Sequence, residues 1–310
     1  MNSTEFSFGM VILLQFGLGL LVNVFLLLFY IRVVSISHKP SHSDLILAQL
    51  ALANTIILLT SGVLETLSAW GLKNFLDDVG CKILMYLYRV ARGLAICTTC
   101  LLSMFQAVTI SPSTFRWAGI KAKLPKCILP SCALSWVINL LIELNAPIYM
   151  RSPQNNSGNV QTILDLKYCI KVIESAETNF AITVMLSFRD LFFVGLMSAA
   201  SSYMVFVLYR HHQQVQHLHE PGHFPRVMPE VRAAKRVIAL VSLYVLLYGR
   251  QTIMLSILVN MKEKSPLLVK SHLVFQLTFS TVSSFLIIHS DRRIRTFWTR
   301  QSTAPNPDPS

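Results

Sequence analysis

Two arginines stand in the middle of an apolar stretch. Arg89 and Arg92 are spaced i, i+3, so on a helix they share one face with the neighbouring Tyr88. Charged side chains inside a bilayer are expensive and face the protein interior, so this face is expected to point into a helix bundle. There the two guanidinium groups could polarise a ligand pocket, or they could form ion pairs that only hold helices together. The candidate acidic partners are Glu65, Glu143 and Asp190.

A third arginine, Arg250, lies in another apolar stretch beside Tyr248 and Gln251. Turned inward, its guanidinium group would favour an anionic ligand such as a carboxylate or sulfate through charge-assisted hydrogen bonds. Snorkelling to the outer membrane interface is the alternative. Apolar and aromatic side chains would form the rest of such a pocket. The full set of predicted pocket residues is Tyr86, Tyr88, Arg89, Arg92, Phe180, Asp190, Tyr248, Arg250, Gln251 and Phe275.

Motifs that would indicate an enzyme are missing from the sequence. There is no Gly-rich phosphate loop, no His-Glu-x-x-His helix and no pair of intramembrane aspartates. Cys97 and Cys100 have the spacing of a metal or redox pair, but they lie in an apolar helix without a second pair, which favours plain packing. The histidines within 211–219 fall in a solvated loop. We therefore predict no catalytic residue, no metal site and no cofactor.

The elements that carry these residues are membrane-spanning helices. Of the 310 residues, 53% are hydrophobic and 14% charged, and the mean hydropathy is +0.53, whereas soluble domains carry about 25% charged residues. Seven apolar blocks are each about as long as a helix that crosses a bilayer. They cover residues 8–31, 45–67, 83–108, 128–149, 180–209, 237–259 and 267–289. The predicted fold is an all-α, seven-helix transmembrane bundle at 1–289, followed at 290–310 by a short amphipathic helix and a cytoplasmic tail.

Basic residues are unevenly divided between the two sides of these blocks. Fifteen Lys and Arg residues lie in one set of connecting segments and the C-terminal tail, whereas eight lie in the other set. The positive-inside rule therefore predicts an outside N-terminus and a cytoplasmic C-terminus. N-glycosylation sequons at Asn2 and Asn155 fall on the outer side, as do Cys81 and Cys169, which could form a disulfide in an oxidising compartment. The net charge of +12 thus reflects topology and attraction to anionic lipid, not nucleic-acid binding.

Several runs of residues match a known receptor pattern. They are Tyr86-Leu87-Tyr88-Arg89-Val90-Ala91-Arg92-Gly93 in the third block, Arg116-Trp117-Ala118 after it, Ser202-Tyr203-Met204-Val205 in the fifth block and Arg232-Ala233-Ala234-Lys235 before the sixth. Over nearly its whole length the chain resembles the vomeronasal type 1 pheromone receptors, a family of G-protein-coupled receptors. The resemblance implies a small semiochemical ligand within the bundle and an inhibitory-class G protein. It also implies the plasma membrane of vomeronasal sensory neurons.

The chain lacks the signatures of ordinary rhodopsin-like receptors. Phe105-Gln106-Ala107 stands in place of their acidic-Arg-Tyr triplet, the seventh block has no Asn-Pro-x-x-Tyr, and Asn54 replaces the buried aspartate of the second span. These absences fit the vomeronasal family. A bitter-taste-like receptor is the alternative within the same class, but the matching runs favour the vomeronasal interpretation.

The seventh block departs from the vomeronasal pattern. Ser280 and Ser284 stand at two positions of this block where the family usually has proline. In the fifth block, Arg189 stands where a proline is common in the family, just before Asp190. A proline kink would be weakened or lost, although serine can bend a helix by hydrogen bonding to an earlier carbonyl. A receptor relic that folds but does not signal is therefore a second hypothesis.

The cytoplasmic ends of the blocks form the predicted G-protein-facing surface. Its members are Gln106, Ser111, Pro112, Arg116, Arg210, Arg232, Lys235 and Arg236. The basic members also have a simpler role, because such clusters attract anionic lipid. Beyond the seventh block, Ile294, Phe297 and Trp298 are spaced i, i+3, i+4 and are expected to lie in the bilayer interface.

Overall fold

The computed structural model is almost entirely helical. It describes residues 3–36, 41–72, 75–112, 115–152, 161–165, 168–173, 176–218, 234–235, 237–247, 250, 266–291 and 293–294. The helices are α1 (Ser3–Ile36), α2 (His42–Ile57), α3 (Val63–Ala69), α4 (Asp78–Ile110), α5 (Phe115–Ile142), α6 (Ala176–Leu218), α7 (Val237–Leu247) and α8 (Pro266–Ser290). A π-helical turn at Leu58–Gly62 joins α2 to α3, and a 3₁₀ turn at Glu143–Ile148 follows α5.

Five helical runs are long and apolar enough to cross a membrane. They are Phe6–Ile36, Ser43–Ala69, Asp78–Ile110, Gly119–Ile148 and Phe180–Arg210. Val237–Leu247 and Val274–His289 are shorter apolar helices within the described residues. Large apolar side chains such as Leu21 and Phe188 are mostly exposed on the outward faces of these helices, as expected where lipid replaces water. The chain is therefore a helical membrane protein, as the sequence predicted.

Most helices extend for several residues beyond the predicted apolar blocks, and α5 begins at Phe115, well before the predicted start at 128. Polar caps account for two of the starts. The Ser41 N–H donates to Asp44 Oδ2 (3.1 Å) at the start of α2, and the Gly80 N–H donates to Asp77 Oδ1 (3.0 Å) at the start of α4. Such side-chain acceptors and donors satisfy backbone groups that the first helical turn leaves unpaired.

A small antiparallel sheet lies over the N-terminal end of α4. Its strands are β1 (Met150–Arg151), β2 (Gln161–Asp165) and β3 (Ile170–Ile173), in the order β1-β3-β2. Cys169, just before β3, forms a disulfide with Cys81 in the first turn of α4. This segment is therefore fixed over the bundle by a covalent bond as well as by strand pairing.

Helix α4 lies at the centre of the bundle and packs against α2, α5 and α6, while α1 packs against α2 and α8. Two glycines allow close approaches. At Gly19 of α1 a Cβ atom would meet Thr281 Oγ1 of α8, and at Gly93 of α4 it would overlap the Asn139 side chain of α5. Small residues are favoured at such contacts in membrane helices because they let backbones come together.

The segment after α8 differs from the expectation. Ile294 is fully buried within the apolar core of the protein, so the expectation that it lies in the bilayer interface is wrong. The spacing of apolar residues predicted which residues share a helix face, but it did not predict whether protein or lipid covers that face. Phe297 and Trp298 lie outside the described residues.

Candidate functional site

A network of five charged side chains connects α4, the 3₁₀ turn after α5, and α6. Arg89 Nε donates to Glu143 Oε2 (2.7 Å), and Arg189 Nη1 donates to Glu143 Oε1 (2.7 Å). Arg189 also bonds Asp190 (2.8 Å from Nη2 to Oδ1), and Arg92 Nη2 lies 3.7 Å from Asp190 Oδ2. Three guanidinium groups thus share two carboxylates, and the network carries one excess positive charge.

The sequence predicted part of this network. Glu143 and Asp190 were two of the three acidic partners proposed for Arg89 and Arg92, whereas the third, Glu65, accepts from Ser61 instead. The central position of Arg189 was missed, although its place in an apolar block was a signal. Gly93 helps to make room for it, because a Cβ there would lie 3.3 Å from Arg189 Nη1.

A small cavity lies beside this network, between α2, α4, α7 and α8. It holds about 40 Å³ of water-accessible space. Its wall is formed by Ile57, Tyr88, Arg92, Ala95, Tyr244, Leu247, Phe275, Gln276, Phe279 and Ser280. Tyr88, Arg92 and Phe275 were predicted pocket residues. Tyr244 and Phe279, whose rings meet edge to face with centroids 5.0 Å apart, were not predicted.

Arg250 lies against α8. Its guanidinium carbon stands 3.1 Å from the centroid of the Phe275 ring, and its Nη2 donates to Ser271 Oγ (3.2 Å). A second nitrogen of the group, Nη1, is buried and has no hydrogen-bond partner among the described residues. A cation over an aromatic face is attracted by the ring quadrupole. The charge is therefore held against a residue that also lines the cavity.

A chain of hydrogen bonds connects the cavity wall to a buried acid. Gln276 Nε2 donates to Ser61 Oγ (2.7 Å), and Ser61 Oγ donates to Glu65 Oε1 (2.8 Å). Ser61 belongs to the π-helical turn, and such turns often mark functional positions. Nearby, burial raises the pKa of Tyr168, and the Glu65 and Tyr88 side chains raise it further.

The remaining predicted pocket residues are spread over the bundle. Tyr86 donates to the Leu140 carbonyl (3.0 Å) on α5. Phe180 is 71% exposed at the start of α6, which argues against a place in the pocket because an outward ring faces lipid. Tyr248 and Gln251 lie outside the described residues, as do both sequon asparagines, Asn2 and Asn155.

The predicted G-protein-facing residues divide into buried and exposed members. Gln106 is buried, and so is Ser111, whose Oγ lies 3.0 Å from the Tyr203 hydroxyl and whose carbonyl accepts from Lys121 Nζ (2.6 Å). These contacts join α4, α5 and α6 at one end. The exposed members are Pro112, Arg210 and Lys235; Arg116 lies in the first turn of α5, and Arg232 and Arg236 lie outside the described residues.

The two serines at the family's proline positions are hydrogen bonded to α1. Ser284 Oγ donates to Asn23 Oδ1 (2.6 Å), while Asn23 Nδ2 donates to the Ser280 carbonyl (2.9 Å). Asn54 Nδ2 donates to Ser283 Oγ (3.2 Å) on the same helix. Helix α8 is therefore joined to α1 and α2 by buried polar contacts.

An ion pair joins the segment after α8 to the start of α2. Arg293 donates two hydrogen bonds to the fully buried Asp44, of 2.6 and 3.0 Å. It donates three to Asp291, of 2.9 Å from its backbone N–H and of 3.2 and 3.4 Å from its side chain. Asp291 also accepts from the Tyr30 hydroxyl (3.1 Å). The hydrogen bond to Asp44, with further contributions from Asp291, raises the pKa of Arg293, so this arginine stays charged at any physiological pH.

Cys97 and Cys100 are buried and unbridged in α4. Asn139 Nδ2 donates to Cys97 Sγ (3.4 Å). Within the part of the chain that the structure describes, no group of three or more His, Cys, Asp or Glu side chains is placed to hold a metal ion.

Comparison with known proteins gives a consistent result. The chain is 35% identical to olfactory receptor class A-like protein 1 of Danio rerio, over 93% of this chain and 90% of that protein. It is 37% identical to human vomeronasal type-1 receptor 2, over 90% of this chain and 70% of that receptor, and 35% identical to human vomeronasal type-1 receptor 4, over 97% and 100%. The sequence profile of the vomeronasal organ pheromone receptor family matches residues 6–300. The chain therefore belongs to the vomeronasal organ pheromone receptor family and is a chemosensory receptor of the G-protein-coupled type.

Proposed function

We propose that this receptor binds a small, partly apolar, acidic semiochemical in the cavity between α2, α4, α7 and α8, and that binding activates an inhibitory-class G protein. The observation that carries the proposal is the position of Arg92 in the cavity wall, with Arg250 stacked on Phe275 of the same wall. The G-protein class and the site in the plasma membrane of vomeronasal sensory neurons follow from the family alone.

The excess of positive charge near the cavity favours an anionic ligand. Three arginines share two carboxylates in the network that includes Arg92, and Arg250 Nη1 is buried without a partner among the described residues. In a low-dielectric interior an excess positive charge is expensive until a negative group approaches it. A carboxylate or sulfate accepts two hydrogen bonds from one guanidinium group, whereas a neutral ligand relieves neither cost.

The size of the cavity bears on how activation works. A space of about 40 Å³ holds at most about three waters, whereas pockets for small molecules usually measure roughly 300–1,000 Å³. A ligand must therefore separate some of the side chains that close the cavity, such as Tyr244 of α7 and Phe279 of α8. A ligand that fits only the widened arrangement increases the fraction of receptors in that arrangement. A shift of α7 would also displace the cytoplasmic end of that helix.

The disulfide supports the proposed topology. Disulfides persist in oxidising compartments, so Cys81 and Cys169 favour an outer location for the start of α4 and for β3. With an outside N-terminus, seven spans over residues 1–289 place the tail, 290–310, in the cytoplasm. Asn2 and Asn155 then lie where N-glycosylation occurs. The basic residues at the cytoplasmic helix ends would contact both lipid and G protein.

The test is a G-protein activation assay in cells that express the full chain with an N-terminal epitope. The panel contains carboxylates, sulfated steroids and their neutral alcohol counterparts, and surface exposure of the epitope is followed in parallel. We expect Arg250→Leu to weaken responses to acidic ligands by 10-fold or more, on the order expected for a lost charge-assisted bond, with little effect on neutral ones. Arg32→Leu, which removes an exposed arginine near the end of α1 and outside the proposed pocket and G-protein-facing surface, is the matched control for loss of a positive charge.

Two results would contradict the proposal. An equal loss of all responses would assign Arg250 a structural role, and a wild-type response confined to neutral ligands would exclude an anionic pocket. The family match favours the vomeronasal interpretation over a bitter-taste receptor. A receptor relic remains the second candidate because of Ser280 and Ser284, and surface expression without any response across the panel would support it.

A further inference from the structure

Gln276 is the neutral amide in the wall of the proposed ligand cavity. Beside it on α8 stands Phe275, on which Arg250 stacks. The other uncharged polar side chains of the wall are the hydroxyls of Tyr88, Tyr244 and Ser280. A hydroxyl both donates and accepts, so it does not discriminate between ligand donors and acceptors. An amide held in one orientation does discriminate.

The orientation of the Gln276 amide is fixed from behind the wall. A hydroxyl has a single proton, and that of Ser61 is given to Glu65 Oε1 (2.8 Å). Ser61 Oγ can therefore only accept from Gln276, and the atom that it faces at 2.7 Å is Nε2. Both hydrogen bonds are therefore donated in the same direction, from the Gln276 amide to Ser61 and from Ser61 to the Glu65 carboxylate.

Burial makes this chain a firm constraint. Glu65 is 1% exposed and Ser61 is 3% exposed. A buried acceptor that loses its donor costs free energy that a solvent-exposed one does not. Rotation of the Gln276 amide would bring its carbonyl oxygen against Ser61 Oγ, whose proton is already used. The amide is therefore held with Nε2 toward Ser61, which leaves the carbonyl oxygen Oε1 for the cavity side.

We infer that Gln276 is a specificity-determining residue that accepts a hydrogen bond from a hydroxyl group of the ligand, with Ser61 and Glu65 as positioning residues. This inference rests on the proposed function and deepens it. The ligand class becomes a hydroxylated acid: an anionic group toward Arg92 and Arg250, a hydroxyl group toward Gln276, and an apolar body against Ile57, Leu247 and Phe279.

The probes are ω-hydroxycarboxylates of six, eight and ten carbons, each compared with the unsubstituted carboxylate of the same length. Their affinities are measured by equilibrium binding to the full-length receptor in lipid nanodiscs. We expect the hydroxyl group to raise affinity by about 3- to 10-fold at the chain length that reaches Gln276, the usual range for one net hydrogen bond.

Variants separate recognition from packing. Gln276→Leu should abolish the preference for the hydroxylated member of the pair while the unsubstituted carboxylate still binds, and that binding shows that the variant is folded. Ser61→Ala should reduce the preference to an intermediate value, because the amide can then rotate. Thr278→Val, two positions along α8 and outside the cavity wall, is the matched control and should keep the full preference.

The results distinguish a failure of the role of Gln276 from a failure of the anionic pocket. A hydroxyl preference that is absent at every length, or that persists in Gln276→Leu, overturns the role of Gln276 and leaves the anionic pocket intact. If none of the carboxylates binds the wild-type receptor, the anionic pocket itself is wrong and this inference falls with it.

Discussion

Single residues decide how charge is accommodated inside this receptor. Arg189 occupies a position where the family usually has proline, and its guanidinium group joins Glu143 of the 3₁₀ turn to Asp190 of its own helix. Without it, the two carboxylates would balance the charges of Arg89 and Arg92. With it, the network has one positive charge in excess. Arg189 therefore adds to the positive potential beside the cavity.

This charge count predicts unequal costs for two substitutions. Glu143→Leu leaves three arginines with one carboxylate, so it should lower the free energy of unfolding by roughly 3–5 kcal/mol, the usual cost of a buried charge without its partner. Arg189→Leu leaves two arginines with two carboxylates and should cost clearly less. Thermal unfolding of the purified receptor in detergent measures both. Lys82→Ala, which removes the surface pair with Asp78 (3.8 Å), is the control and should change stability by less than about 1 kcal/mol. Equal effects of the two core variants would contradict the count.

The disulfide gives a second prediction for a single residue. Cys81→Ser frees the segment around β3 from the start of α4, and a native disulfide typically contributes about 2–5 kcal/mol. We expect surface expression to be lost, as measured by antibody labelling of an N-terminal epitope on intact cells. Cys127→Ser, which removes an exposed cysteine without a disulfide, should reach the surface normally. Unchanged trafficking of Cys81→Ser would show that the bond is dispensable.

In α8, a side chain of a neighbouring helix supports the backbone at a position where the family usually has proline. A proline at position 284 would remove the N–H that bonds the Ser280 carbonyl one turn earlier. That carbonyl also accepts from the Ser284 hydroxyl (3.1 Å) and from Asn23 Nδ2 of α1 (2.9 Å). The Asn23 donor does not depend on which residue stands at position 284. Oδ1 of the same asparagine accepts a hydrogen bond from the Ser284 hydroxyl. Asn23 therefore suits either residue at position 284.

This arrangement predicts a non-additive pair of variants. Ser284→Ala leaves Asn23 Oδ1 without its donor and should cost about 1–3 kcal/mol of unfolding free energy. Ser284→Pro should cost little more than Ser284→Ala while Asn23 is present, but at least about 1 kcal/mol more in the Asn23→Leu background. A double-mutant cycle on thermal stability measures this coupling. Additive effects would mean that Asn23 does not support the carbonyl.

The same helices show what could be foreseen from the sequence and what could not. Apolar length predicted the helices, because a bilayer imposes that length on every span, and Cys81 and Cys169 were placed on one side by the topology. The partners of polar residues were harder to predict, since they depend on how helices rotate against one another. Gln276 and Ser61 are 215 positions apart, and nothing local to either residue indicates the contact. Ile294 was misplaced for the same reason.

For the molecule as a whole, the uneven distribution of basic residues predicts its orientation. An N-terminal epitope should be labelled on intact cells, whereas an epitope at the C-terminus should be labelled only after permeabilisation. If the outer loop carries glycan, Asn155→Gln should increase electrophoretic mobility, and glycosidase treatment should abolish the difference from the wild type. Labelling of both epitopes on intact cells would contradict an odd number of spans.

The ion pair between Arg293 and Asp44 has a consequence for the biosynthesis of the receptor. The two residues are 249 positions apart, which corresponds to about 12 to 50 s of translation at roughly 5–20 residues per second. Asp44, Asn23 and Asn54 all find partners in α8 or just after it. Asn23 and Asn54 therefore lie inside the membrane, and Asp44 lies at its edge, without these partners until the last helix is made. The first two helices are synthesised early, but their polar contacts to the last helix form late. Throughout that interval the nascent receptor depends on the insertion machinery to shield these polar groups.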